Sequence, residues 1–159
     1  MTQVALRIEG MDKLKKTFER FPQLATQEFD KALKTSALKI EGEAVRKAPV
    51  NKQSGGGNLR QSIRHKKVGA AAYMVEARAK YAEAVNFGTG IYGKRGAPYP
   101  IRAKSAKVLS DGKTFFGKTV MHPGIKAQPF FSDAVTAGEP ILNKELKQAI
   151  QNVISRSLQ

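Results

Sequence analysis

Apolar and polar positions change their spacing several times along the chain, and each change predicts an element. Val4, Leu6 and Ile8 recur at every second position, the period of a short half-buried strand. Gly10 closes that run. Met11 to Phe21 reads as a first helical piece, stopped or kinked at Pro22. From Pro22 to Lys47 the spacing becomes helical: Phe29, Leu33, Ala37, Ile40 and Ala44 fall on one face, with Lys31, Lys34, Lys39 and Arg46 mostly elsewhere. The run is Ala-rich and lacks β-branched clusters, which favours a long helix with a core or subunit-facing stripe. Ala48-Pro49 ends it, because a proline drives its predecessor out of helical geometry.

Asn51 to Asn58, with glycines at 55, 56 and 57, predicts a mobile loop. Leu59-Arg60-Gln61-Ser62-Ile63 leads into two strand-like runs, Ile63–Val68 and Tyr73–Arg78, around Gly69-Ala70-Ala71. Tyr73, Val75 and Ala77 predict a core face; Met74, Glu76 and Arg78 predict a wet one. Arg64, Lys66 and Lys67 predict a basic strip on the other arm.

Tyr81 to Gly90 is the corner on which the rest turns. Tyr81, Ala84, Val85 and Phe87 suit a short helix, with Phe87 plugging the core and Gly88 at the helix end, where positive φ is cheap for glycine. Thr89-Gly90 then releases the chain into a basic segment over residues 88–128. Within it, Tyr99–Ala103 reads as a strand, and Val108-Leu109, Asp111-Gly112, Thr114–Phe116 and Thr119–Met121 as a β-hairpin. Helix resumes after Pro129 with Phe130, Phe131, Ala134 and Val135. It pauses at Gly138-Glu139-Pro140 and continues from Ile141 to Leu158, with Leu142, Leu146, Ile150 or Ala149, and Val153 on one face. The fold class expected is α+β: a long N-terminal amphipathic helix and a C-terminal helix packed on a small antiparallel sheet, with a protruding basic loop or hairpin at 88–128.

Composition narrows what this fold can do. At 159 residues the chain predicts a single domain, 1–159, with ordinary hydrophobic and charged fractions. It has no cysteine, so disulfides, zinc–thiolate sites and cysteine nucleophiles are excluded. With no signal-like N-terminus and no apolar run near the roughly 20 residues of a membrane span, it predicts a soluble protein with no membrane partner. The net charge of +15 is unevenly placed. Residues 1–45 hold 8 basic and 7 acidic residues, 127–159 hold 3 and 3, and 46–126 hold 17 and 3. Such a middle suits nucleic acid, an acidic protein surface, or simply a solvated face.

Two motifs suggest nucleotide chemistry, and context argues against both. Gly88-Thr89-Gly90-Ile91-Tyr92-Gly93 spells G-x-G-x-x-G, but a dinucleotide loop needs a strand before it and a helix after it. Gly112 to Thr119 matches the phosphate-loop pattern G-x-x-x-x-G-K-T in full, but Pro123-Gly124 follows too soon for its helix and no apolar strand ending in Asp follows to hold a metal. His65 and His122 lie outside any ligand-spaced acidic cluster, and no close acid pair marks a general acid and base. Catalytic, cofactor and metal residues are therefore expected to be none.

Four signals in order resemble a known family: an amphipathic helix ending in Ala48-Pro49; Gly57-Asn58-Leu59-Arg60-Gln61-Ser62-Ile63; Tyr81-Ala82 leading to Val85-Asn86-Phe87-Gly88-Thr89; and His122-Pro123-Gly124-Ile125 with Gln128-Pro129-Phe130-Phe131 before Ala134. Together, across roughly residues 5–137, they are similar to the tail-component family of the HK-type lambdoid phages, gene-product-ten-like proteins of the neck or tail-completion position. The resemblance implies a non-catalytic virion protein. It would form a homo-oligomeric ring at the head–tail junction, be assembled in the host cytoplasm, and contact other neck and tail proteins. It leaves the basic residues Arg64, Lys66, Lys67, Lys94, Arg95, Arg102, Lys104 and Lys107 facing either packaged DNA, non-specifically, or acidic partner subunits. Phe87, Gly88 and Gly90 would form the structural corner. The alternative from another class is a stand-alone basic nucleic-acid-binding module.

Overall fold

The structure, a computed structural model, describes residues 4–8, 22–50, 56–104, 108–110 and 112–157, and of 4–8 the backbone alone. The helical piece expected at 11–21 and most of the glycine loop at 51–58 lie outside these residues. The chain divides into two compact units, Met1–Ala82 with Phe130–Gln159, and Glu83–Pro129. The architecture is α+β, with two long helices and small antiparallel sheets.

The first unit, the body, is built around helix α1 (Pro22–Lys47). Phe29, Leu33, Ala37, Ile40 and Ala44 are all buried, and the lysines between them are exposed, as the helical spacing requires. Each fully buried Phe, Leu or Ile contributes about 1.5–3 kcal/mol through removal of apolar surface from water. Ser36 also lies in this stripe, and its hydroxyl donates to the Ala32 carbonyl at 2.8 Å, so its burial leaves no polar group stranded.

A three-stranded antiparallel sheet lies against α1. It consists of β1 (Val4–Ile8), β2 (Ile63–Gly69) and β3 (Ala72–Ala77), in the order β1-β3-β2. Tyr73, Val75 and Ala77 face the core and are buried. Leu59-Arg60-Gln61-Ser62, expected only to lead into β2, forms a short helix α2 (Asn58–Ser62) that buries Leu59.

The last helix, α4 below, is continuous over Phe130–Ser157, so the pause expected at Gly138-Glu139-Pro140 is not there. Gly138 is present for a packing reason. It is buried against α1, and an added Cβ would meet the Ile40 side chain inside contact distance. Pro140 sits on the exposed side of the same turn, where the hydrogen bond it cannot donate costs least. Along this helix Phe130, Phe131, Ala134, Ala149 and Val153 are buried, and Leu142, Leu146 and Ile150 are half-buried.

The second unit begins in α3 (Ala82–Phe87), whose first residue closes the body. It continues through a 3₁₀ turn at Gly90–Tyr92 and four short strands: β4 (Tyr99–Arg102), β5 (Leu109–Ser110), β6 (Phe115–Gly117) and β7 (Thr119–His122). β5 pairs with β6 as the hairpin predicted. Thr119–Met121 does not extend that hairpin. It pairs antiparallel with β4, Tyr99 opposite His122 and Arg102 opposite Thr119. The chain thus returns along its own path as a narrow two-stranded ribbon, from which α4 (Phe130–Ser157) follows in sequence.

Candidate assembly surface

The basic strip expected on the sheet is present, but acids hold it. Glu76, on the supposedly wet face of β3, is only 1% exposed and lies between Lys66 Nζ at 3.0 Å and Arg78 Nε at 2.5 Å. Burial alone would raise its pKa. Hydrogen bonds from Arg78 and Lys66 outweigh that and hold the carboxyl below the usual carboxylate range. Lys67 meets Asp30 at 2.6 Å and lies over the Tyr73 ring, whose hydroxyl donates to the same Asp30. Arg64 lies 4.0 Å from Glu41, which also accepts from the backbone N–H and ring of His65. Arg64, Lys66 and Lys67 on β2 are therefore held by Glu41, Glu76 and Asp30. Arg60, singled out only as part of a motif, turns out to donate to the Ala48 carbonyl at 2.9 Å and so satisfies the end of α1.

The corner at Tyr81–Gly90 is a clasp between two stretches of backbone. The Val85 carbonyl accepts from Gln128 N–H at 2.8 Å, and Thr89 N–H donates to Ile125 at 3.0 Å. Ile91 N–H donates to Pro123 at 2.8 Å, while the Thr89 hydroxyl accepts from Ile125 N–H at 3.1 Å. Gly90 (φ 62°) and Gly124 (φ 101°) sit where these stretches cross. A Cβ on either would lie well inside contact distance of the opposite carbonyl, Pro123 or Thr89. Gly88 (φ 73°) ends α3 as expected, and its Cβ would meet the Tyr92 carbonyl oxygen at 2.8 Å. The G-x-G-x-x-G spacing is thus used for backbone crossing. Thr89-Gly90 pins the chain at this point and does not release it.

Phe87 is not a core plug. It is 51% exposed, while Ala82 and Asn86, four residues apart on one face of α3, are buried. A six-residue helix can hide only one narrow face, and here that face carries an asparagine.

Beyond the clasp, the ribbon carries side chains that a self-sufficient fold would hide. Phe115 is 77% exposed and its neighbour Phe116 49%. Adjacent residues of a strand point to opposite faces, so both faces of the β5–β6 hairpin are open at this point. Among the described residues, eight of the thirteen exposed large apolar ones lie in this unit, and Asn86 and Gly90 are its only buried residues. Over residues 83–129 the sequence has eight Lys and Arg against Glu83 and Asp111 alone. Lys94, Arg95, Arg102 and Lys104 are all exposed; Lys107 lies outside the described residues.

Gly112–Thr119 runs through β6 into β7, so the phosphate-loop spacing leads into strand where a nucleotide site would need a helix. His122 accepts from Gly124 N–H through Nδ1 at 2.9 Å and faces Tyr99, which makes it a turn residue of the clasp. Among the described residues no group of three or more His, Asp or Glu is placed to hold a metal ion, and no helix is long and apolar enough to cross a membrane.

Residues 12–88 match a phage tail family. Its model is described as bacteriophage HK97-gp10, putative tail-component. The match bears out the family resemblance over residues 12–88, with the signals at His122–Ala134 outside it, and supports a structural role in a phage tail. No curated protein and no solved structure matches the chain. On the fold, the match to the tail-component family takes in α1, α2, β2, β3 and α3 and stops at Gly88, where the clasp begins. The ribbon lies outside the matched span, so its chemistry must be read from its own residues.

Proposed function

We propose that the chain is a non-catalytic structural subunit of the neck or tail-completion ring of a long-tailed phage, where it helps join head to tail. The observation that carries this is the family match over residues 12–88. A closed ring requires two different complementary patches on each subunit. The long helices of the body and the open ribbon are two such candidate surfaces. The exposed cations of the second unit, Lys94 and Arg95 before the ribbon and Arg102 and Lys104 on it, are the partner-facing charges, because Arg64, Lys66 and Lys67 are held by carboxylates of the body.

Light scattering with negative-stain imaging, at low and high salt, tests the ring. Closed rings at both salt concentrations are expected. A monomer with tight DNA affinity that falls steeply with salt would instead favour a stand-alone nucleic-acid-binding module. A second test shortens the ribbon. Replacing residues 103–118 by Asn-Gly joins Arg102 to Thr119, the last β4–β7 pair, through a two-residue hairpin turn and leaves the clasp intact. Particles made with this variant should contain unjoined heads and tails; normal joining would remove the ribbon from the account.

A further inference from the structure

We propose that the ribbon Tyr99–His122 docks on an acidic, apolar-lined cleft of a different protein, and not on a second copy of this chain or on DNA. The proposal rests on the tail reading for its setting and names the chemistry of the partner. Three observations carry it.

The first is apolar. Phe115, Phe116, Val108 and Met121 are exposed together along the ribbon. An isolated two-stranded hairpin is marginal in water, and exposed aromatic and Met side chains with Arg nearby are the composition of an interface core. Phosphates can be held by cations without them. Duplex DNA would cover these side chains only by being unstacked and kinked.

The second is charge. The eight cations of residues 83–129 have Glu83 and Asp111 as the only carboxylates within their own unit. A complementary surface must therefore bring acidic groups of its own.

The third concerns what a sister subunit could offer. Six of the eight described carboxylates of the body are already in ion pairs: Glu28, Asp30, Glu41, Glu43, Glu76 and Glu145. The body does carry an open groove of about 430 Å³ with Leu38, Gly42 and Val45 along α1. Arg60, Gln61, Arg64 and Glu41 complete its lining, and Glu41, its one carboxylate, is already engaged by Arg64 and His65, so it offers a cationic ribbon no uncommitted acid. Charge complementarity thus points away from a second copy.

The test is photo-crosslinking from Phe115→p-benzoylphenylalanine in cells producing phage particles, with products identified by mass spectrometry. One heterologous protein, crosslinked through a segment rich in Asp and Glu, is the expected product. Once identified and purified, that protein should bind the wild-type chain, and the F115S/F116S variant should bind at least tenfold more weakly with its circular dichroism unchanged. The pair Arg102→Glu with Lys104→Glu should lose binding and regain it when the crosslinked acids are changed to Lys. A crosslink to a second copy, a crosslink to DNA, or none in particles that contain the chain would overturn the proposal. Absence of the chain from purified particles would count against the tail reading. A crosslink to an acidic protein inside the cell would stand regardless.

Discussion

Two phenylalanines show how differently the two units use similar residues. Phe29 in α1 is 1% exposed, in a helix stripe where every charged neighbour points outward or is paired. Phe115 in β6 is 77% exposed, on a ribbon with few acids to balance its lysines and arginines. The body closes on itself: the apolar stripe of α1 and the core face of β3 are covered, and its basic strip is met by Glu41, Glu76 and Asp30. The clasped unit holds its ends together and leaves Phe115, Phe116 and Met121 exposed with Lys94, Arg95, Arg102 and Lys104. The difference teaches that an excess of positive charge is not one property. Within 46–126, Arg64, Lys66 and Lys67 are met by carboxylates of the body, while Lys94, Arg95, Arg102 and Lys104 are exposed in a unit whose sequence holds two acids.

The comparison can be broken most forcefully in the core. Phe29→Ala should cost about 3–5 kcal/mol, read as a large fall in the thermal midpoint of the helical signal. Next comes the clasp. Gly90→Ala should cost more than the roughly 1–2 kcal/mol of a left-handed backbone alone, because the new Cβ meets the Pro123 carbonyl. Limited proteolysis should then cut within residues 94–121 much faster, while the helical signal of the body persists. An unchanged cleavage pattern would mean that the crossing does not hold the ribbon.

The helix crossing gives a smaller effect. Gly138→Ala should cost about 1–3 kcal/mol by overpacking, and Ile40→Val should recover part of it, since the clash is with that side chain. Additive losses in the double variant would argue against direct contact.

Glu76 tests the neutralised strip by pH. Its folded carboxyl is held below its unfolded value of about 4.3. Its contribution is therefore complete above that value and is lost as pH falls through the lower folded one. Glu76→Gln should flatten this acid limb of the stability profile measured by chemical denaturation. Smallest of all, Phe115→Ala should change stability by no more than about 0.5 kcal/mol, while impairing head–tail joining. A large loss of stability there would mean that the ribbon is part of a core after all.

Much of the body was legible because each side chain obeys the period of its own element. The bounds of α1 follow from Pro22 and Pro49, and its buried stripe and the core face of β3 from spacing. What stayed hidden depended on atoms distant in sequence. Gly138 looks like a breaker until Ile40 is set beside it, and Pro140 is tolerated because it is on the exposed side. Glu76 looks exposed by alternation, and only Lys66 and Arg78 make its burial affordable. Phe87 reads as a core residue in the sequence, although the face α3 buries is the Ala82–Asn86 one. In the candidate site, Gly88 was readable as a helix end. The partnership of Gly90 with Gly124 was not, since no local pattern shows that two glycines 34 residues apart will cross. The exposure of Phe115 and Phe116 was equally hidden, because a strand pattern does not say whether a second layer covers it.

Hydrogen–deuterium exchange of the free chain and of the chain in assembled particles tests the central contrast most directly. Amides of α1 should be strongly protected in both states. Ribbon amides over residues 99–122 should exchange fast in the free chain and become protected in the particle. A ribbon protected to the same degree in the free chain, or still fast-exchanging in the particle, would contradict the division between a self-closed body and a ribbon completed by its partner.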